Sequence, residues 1–171
     1  WRSAMAHGPA SLKPIEAGDV VQVHLAPVAR GYTVDLCRTS LVSQVPPEAT
    51  SAREAYHLAQ EAGIAAAKPG APLLGIDSAM AQALEGRGFG DAFLRPVFHG
   101  VGIEHEEAPI PGGHAAIHGE EKVERVEVGM VLAIGNCGIY REGFGVRAED
   151  TIWVSAQGPV PLTRHPKALA V

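Results

Sequence analysis

Val20-Val21-Gln22-Val23-His24-Leu25 is followed, after a break at residues 27–31, by Gly31-Tyr32-Thr33-Val34-Asp35-Leu36-Cys37-Arg38-Thr39. Both runs alternate apolar and polar residues and read as the arms of an antiparallel hairpin. With the turn centred on Ala29 and Arg30, His24 and Asp35 fall opposite each other, and opposed residues project from the same face. A second hairpin is expected of residues 131–139 and 144–154, with its turn at 140–143. It places Gly135 or Asn136 opposite Glu149. Ahead of it, His99-Gly100-Val101-Gly102-Ile103-Glu104-His105-Glu106 supplies a His-rich third strand. His, Asp and Glu converging from two hairpins and a third strand are candidate metal ligands or acid–base groups.

Two helices are expected between the hairpins. Pro46-Pro47 opens the first, over about 48–68, where Ala52, Ala55, Leu58, Ala59, Ala62 and Ala66 form a core-facing stripe and Pro69-Gly70 ends it. The second, over about 74–85, carries Ile76, Ala79, Met80, Ala83 and Leu84 on one side. Residues 108–128 read as a loop with a solvated charged run, and the tail after Gln157 reads as irregular. The order hairpin, two helices, strand, hairpin predicts an α+β domain with helices on one face of a mainly antiparallel sheet. Gly31-Tyr32-Thr33-Val34 and Gly143-Phe144-Gly145-Val146 echo each other and hint at an internal duplication.

Composition narrows the function class. The 171 residues suffice for one domain with a real core, and 46% hydrophobic with 19% charged residues describes a globular chain. A net charge of −5 and a pI near 5.9, with no basic cluster, argue against a nucleic-acid or anionic-membrane surface. No apolar run reaches the roughly 20 residues of a membrane span, and no signal peptide is visible. Cys37 and Cys137 give no disulfide framework, so a reducing, cytoplasmic setting is expected, with both as small buried apolar residues. Trp1 at the start, and His7 so close behind it, predict a single domain over 1–171 taken from a longer protein, lacking N-terminal helices or an N-terminal domain.

Further segments complete a pattern: Ala6-His7-Gly8-Pro9, Ile15-Glu16-Ala17-Gly18-Asp19-Val20-Val21, Phe98-His99-Gly100-Val101-Gly102, His105-Glu106, Gly129-Met130-Val131 and Gly145-Val146-Arg147-Ala148-Glu149-Asp150-Thr151. With Gly31 to Thr39 they run in order along nearly the whole chain. In this combination the chain resembles the C-terminal catalytic domain of the pita-bread family, which includes methionine aminopeptidase, aminopeptidase P, prolidase and creatinase. The resemblance implies a curved, mainly antiparallel sheet with helices packed on one face.

The family's metallopeptidases hold two metal ions with two Asp, one His and two Glu. By resemblance, the second Asp falls on Asp35, the His on His99 and the last Glu on Glu149. The first Asp falls on His24. The first Glu falls on Gly135 or Asn136, because Ile134-Gly135-Asn136-Cys137-Gly138-Ile139-Tyr140 replaces the usual Ile-Glu-Pro-Gly pattern. Three expectations follow: one Mn, Zn or Fe ion on His24, Asp35, His99 and Glu149; no ion, with the groups hydrogen-bonded to one another; or the full pair. His7 and His105 match positions that bind substrate and steady the tetrahedral intermediate, so both are catalytic and substrate-binding candidates. His57, His114, His118 and His165 match no site position and are expected at the surface. The function implied is a hydrolase cleaving a C–N bond in a small peptide-like substrate, as a homodimer. Its alternative is an inactive pita-bread domain acting as a binding module.

Overall fold

A computed structural model describes residues 2–6, 8–111 and 124–167. Strand β1 (Val20–Leu25) pairs with β4 (Leu36–Leu41), and the ribbon continues through β2 (Val28–Ala29) and β3 (Tyr32–Thr33). The turn falls at Arg30 and Gly31, with φ of 54° and 85°; positive φ at both positions matches the twist of a two-residue hairpin. That is one residue later than the sequence suggests. His24 consequently lies opposite Cys37 rather than Asp35. A shift of two in the pairing keeps the face, since side chains alternate with period two, so His24 and Asp35 still project together.

Helices α1 (Pro47–Ala66) and α2 (Leu74–Glu85) follow and pack on each other. Ile76, Met80 and Leu84 are the buried side of α2. The buried side of α1 is Ala49, Ala52, Ala55, Tyr56, Ala59, Gln60 and Gly63. Leu58, expected in that stripe, is exposed. The stripe is turned toward Tyr56 and Gln60 because the sheet beneath offers them backbone carbonyls.

After β5 (Phe93–Leu94) come β6 (Phe98–Gly100), β7 (Val131–Ile134), β8 (Gly138–Arg141), β9 (Phe144–Val146), β10 (Glu149–Ser155) and β11 (Gly158–Pro161). The main sheet runs β1-β4-β10-β7-β6 with β11 added to β10, and every pairing within it is antiparallel. A smaller sheet is ordered β5-β8-β9. Strand β11 corrects the expectation of an irregular tail: Pro159 and Pro161 are tolerated because this short strand pairs on one side only. The core between helices and sheet is built from Phe98, Leu132, Ile134, Ile139, Ile152 and Val154 with the apolar faces of α1 and α2. Among the described residues no helix is long and apolar enough to cross a membrane. Residues 112–123, with most of the expected loop, His114 and His118, lie outside the described residues.

Candidate active site

Strand β4 runs between β1 and β10, and Cys37 near its start pairs with His24 on one side and Glu149 on the other. His24, Cys37 and Glu149 therefore form a row across three strands on one face. Asp35, two residues back along the chain, joins the same face. Its backbone N–H donates to Thr151 Oγ1 at 2.8 Å, and that hydroxyl donates back to the Asp35 carbonyl at 2.9 Å. This clamp fixes Asp35 where the chain leaves the ladder. Cys37 is fully buried and its thiol is pushed up to about 12 by burial, so it is a small neutral floor to the row. Cys137, expected to be buried too, is only partly so; both cysteines are free.

His99 enters from β6. Its Nδ1–H donates to the Gly100 carbonyl at 2.9 Å, which turns Nε2 toward the carboxylates, 3.6 Å from Asp35 Oδ2 and 3.7 Å from Glu149 Oε1. Those separations exceed a hydrogen bond, so the pull on His99 is through-space charge. Burial, the largest single influence, opposes the imidazolium; the two carboxylates and the Gly100 carbonyl outweigh it and push His99 up to about 10. Burial likewise works against ionised Asp35, but His24 and His99 hold its carboxyl well below the usual range. His24 Nε2 contacts Asp35 Oδ1 directly and lies 3.6 Å from Glu149 Oε2.

His105 is carried by a loop, not by the third strand the sequence suggests. The loop folds back because Gly102 N–H donates to the Glu104 carbonyl and Glu107 N–H to the Gly100 carbonyl. Thr33 N–H also donates to the Gly102 carbonyl at 2.6 Å and docks the loop on β3. His105 Nε2 thereby reaches Asp35 Oδ2 at 2.8 Å from the solvent side. His24, His99 and His105 form a cluster, with ring centroids 5.8 Å apart for His24–His105 and for His99–His105.

Gly135 and Asn136 separate in role. Gly135 has φ 110°, and a Cβ there would stand 1.8 Å from the Ala148 carbonyl oxygen, so no side chain fits this position without backbone movement. Asn136 is the one that turns inward: its Oδ1 accepts from Cys137 N–H at 2.9 Å and from Arg147 Nη2 at 2.8 Å. Helix α1 holds this break, with Tyr56 OH 2.8 Å from the Gly135 carbonyl and 3.0 Å from that of Asn136, and Gln60 Nε2 donating to the Ile134 carbonyl.

Sequence reasoning gave Arg147 no role, yet its guanidinium is buried in the site and contacts Glu149 Oε2 through Nη2. Burial opposes its charge, and the Glu149 carboxylate outweighs that and strengthens it. The signal was available: Arg147 and Glu149 are two apart in extended chain and so face the same way. His57, expected at the surface, is partly buried on α1, while His165 is exposed. His7 lies outside the described residues. Its neighbours Ala6 and Gly8 line a cavity of about 340 Å³, together with Lys13, Gln22, His24 and Arg147. That volume is in the range of small-ligand pockets.

The donor set fits a divalent ion. His99 Nε2 and Glu149 Oε1 are buried with no hydrogen-bond partner among the described residues, although native interiors satisfy most such atoms. With Asp35 they form a buried trio whose ligand atoms lie within 4.8 Å of one another, and His24, Asp35 and His105 form a second such group on the solvent side. One imidazole and two carboxylates, with a second imidazole nearby, are a reasonable set for zinc, manganese or iron.

Comparison with known proteins places this geometry. The model of metallopeptidase family M24 matches residues 1–156. A Xaa-Pro dipeptidase of Pyrococcus furiosus is 37% identical over 172 aligned positions, covering 98% of this chain and 46% of that protein. An uncharacterized peptidase of Bacillus subtilis, YqhT, is 34% identical over 99% of this chain and 46% of its own length. Among solved structures, the prolidase from Pyrococcus horikoshii OT3 superposes with a TM-score of 0.85 at 34% identity, over 97% of this chain and 46% of that one. Methionine aminopeptidase from Rickettsia prowazekii shares the fold, with a TM-score of 0.73 at 22% identity, over 91% of this chain and 68% of that one. The chain thus spans about half the length of the dipeptidase-type relatives it matches.

Proposed function

The chain belongs to metallopeptidase family M24 and has its pita-bread fold, and from that premise we propose that it is the catalytic part of a hydrolase that cleaves Xaa-Pro dipeptides or a closely related small peptide-like substrate. The observation that carries this reading is the buried trio Asp35–His99–Glu149, with two of its polar atoms unpaired among the described residues, beside a cavity of dipeptide size. Relatives named Xaa-Pro dipeptidase support the substrate class.

Asp35, His99 and Glu149 would hold one divalent ion, with His24 as the fourth donor. An ion held there supplies Lewis acidity toward the scissile carbonyl and a lowered pKa for the attacking water. The remaining chemistry belongs to the chain. Asp35, anchored by Thr151, fixes the direction of attack. His105 stands at the solvent edge, within reach of a developing oxyanion or of a proton leaving for the amine. By the family resemblance, His7 would share that task. The buried Arg147 adds positive charge on the Glu149 side.

A second reading has support of its own: His24 contacts Asp35 and Arg147 contacts Glu149 directly, which suits a metal-independent, creatinase-like hydrolase built on the same groups. In either form the protein would work as a cytoplasmic homodimer. Metal analysis of the purified protein, paired with hydrolysis of Xaa-Pro dipeptides, separates the readings. One tightly held equivalent, lost with activity in His99→Ala, supports the metal-dependent enzyme. Turnover that survives complete chelation supports the creatinase-like form, and the absence of any turnover with an intact fold defeats both.

A further inference from the structure

We infer that Thr163 is a positioning residue of this site: its hydroxyl ends the β4–β10 ladder and thereby holds Asp35 out of the sheet, against the histidines. The inference rests on the hydrolase reading above, in which Asp35 fixes the direction of attack, and it applies with or without an ion.

Strand β10 has β7 along one edge and two partners in succession along the other. On that second edge β4 takes Glu149 and Asp150, opposite Cys37 and Leu36, and β11 takes Ile152 to Ser155. Thr151 is the seam between them. Carried on by one residue, the β4 ladder would set Asp35 opposite Thr151 and pair their backbones. The segment after β11 has taken those groups instead. Thr151 N–H donates to Thr163 Oγ1 at 3.2 Å, and the Thr151 carbonyl accepts from Leu162 N–H at 2.9 Å and Thr163 N–H at 3.4 Å. Asp35 is left with the Thr151 side chain, whose hydroxyl bridges its N–H and its carbonyl. A threonine hydroxyl standing in for a ladder partner keeps the two chains together while letting one of them turn away.

The Thr163 hydroxyl is itself held, because it donates to Asp150 Oδ1 at 2.7 Å. Its backbone is set by the last β11 pair, Ile152 with Pro161, whereas Arg38 grips this segment only beyond it, at the His165 and Pro166 carbonyls. Without the hydroxyl, Asp150 Oδ1 keeps Arg38 Nη2, so no unpaired charge results and the fold is expected to survive. Thr151 N–H then has no acceptor, and a buried backbone donor seeks one. The carbonyl of Asp35, its register partner, is the one that answers. Drawing Asp35 into the ladder moves its carboxylate away from His24 Nε2 and from His105 Nε2, now 2.8 Å from Oδ2.

The test compares Thr163→Val, Thr163→Ser and Ser155→Ala in the full-length protein. Ser155→Ala is the structural control: it removes a buried hydroxyl from the far end of β10, where Oγ donates to the Gly158 carbonyl at 2.8 Å. Steady-state hydrolysis of an Xaa-Pro dipeptide gives kcat and KM. Nuclear magnetic resonance of the histidine ring nitrogens, after chelation of any bound ion, reports the contacts of His24 and His105 with Asp35. Thr163→Val is expected to lower kcat by about 10-fold with KM little changed, the low end of what losing an orienting partner costs. It should also shift both ring resonances. Thr163→Ser should restore both readouts, and Ser155→Ala should lower the melting temperature while moving neither. Thr163→Ala, which removes the same hydroxyl, takes the place of Thr163→Val if thermal melts show the latter unfolded. A Thr163→Val protein that matches Ser155→Ala, or a Thr163→Ser protein as impaired as Thr163→Val, would overturn the inference and leave the hydrolase reading standing. A wild type without turnover would defeat that reading instead, and the ring resonances alone would then decide whether Thr163 places Asp35.

Discussion

Glu149 and Asp150 are neighbours in β10, buried to nearly the same degree, and they project from opposite faces of the same strand. On the back face every oxygen of Asp150 is engaged. Oδ1 accepts from Arg38 Nη2 at 2.6 Å and from Thr163 Oγ1 at 2.7 Å, and Oδ2 accepts from Gln60 Nε2 at 3.1 Å. Arg38 in turn donates to the carbonyls of Cys37, Glu149, His165 and Pro166, tying the C-terminal segment to the sheet. On the front face Glu149 Oε1, His99 Nε2 and Arg147 Nε lack hydrogen-bond partners among the described residues. The Asp150 carboxylate is saturated, and the other unpaired buried atoms among the described residues, Ser40 Oγ, Arg53 Nε, His57 Nε2 and Gln60 Oε1, are not carboxylate oxygens; at the front the open atoms include Glu149 Oε1 and the His99 Nε2 that faces it. Buried charge alone does not mark a functional site, whereas buried charge with unspent coordination does.

The contrast can be broken most severely from the back. Arg38→Met removes one partner of a buried, multiply bonded pair and is expected to destabilise the fold by about 3–5 kcal/mol in urea unfolding. Ion binding and turnover should then be lost only in proportion to unfolding. His99→Ala is the converse change. It should weaken ion binding by more than roughly 10²-fold, since losing even an orienting partner of a ligand costs 10–100-fold. The melting temperature of its metal-free form should move far less than that of Arg38→Met. If the two variants behave alike, the division into structural and functional faces fails.

Tyr56→Phe tests the link between them, because Tyr56 lies on α1 yet holds the Gly135–Asn136 carbonyls of the site strand. Loss of that hydroxyl is expected to cost about 1 kcal/mol of stability. It should also loosen Asn136 and Arg147, measurable as weaker ion binding without loss of fold.

The effect that is smallest at neutral pH concerns titration on the back face. Burial, then Lys167, Arg53 and Arg38, lower His57 to about 4, against an ordinary 6.5; Glu61 only partly offsets them. A base whose folded pKa is depressed is stabilising above its unfolded pKa, and that stability is lost as pH falls through the folded value. The stability contributed by His57 should therefore decline between about pH 6.5 and about pH 4. His57→Gln should flatten this part of the stability profile and leave the pH dependence of turnover unchanged.

Much of this was legible in the chain. Alternation in residues 20–25 and 31–39 marked the first hairpin, and the expected helix bounds, 48–68 and 74–85, fall within two residues of the observed ends. Asp35, His99, His105 and Glu149 could be nominated as a group because strand parity puts the hairpin residues on one face even when the pairing shifts by two. The register itself was not legible, because turn placement depends on which residue accepts positive φ, and Arg30 carries no sign that it does. Leu58 was misplaced for a related reason: periodicity shows that a helix has an apolar side, but the carbonyls exposed by the sheet turned Tyr56 and Gln60 inward.

The sequence by itself determined the elements, their order and the residue types available for chemistry, because propensity, alternation and punctuation are local. Only the tertiary structure decided that Asn136 rather than Gly135 faces the site, and that Arg147 enters it. The same is true of the partners at Glu149, where one oxygen is held and the other left open. Those outcomes depend on which strands meet across the sheet and on what Ala148, Tyr56 and Thr151 leave room for, and long-range packing of that kind is not written in any single stretch of chain.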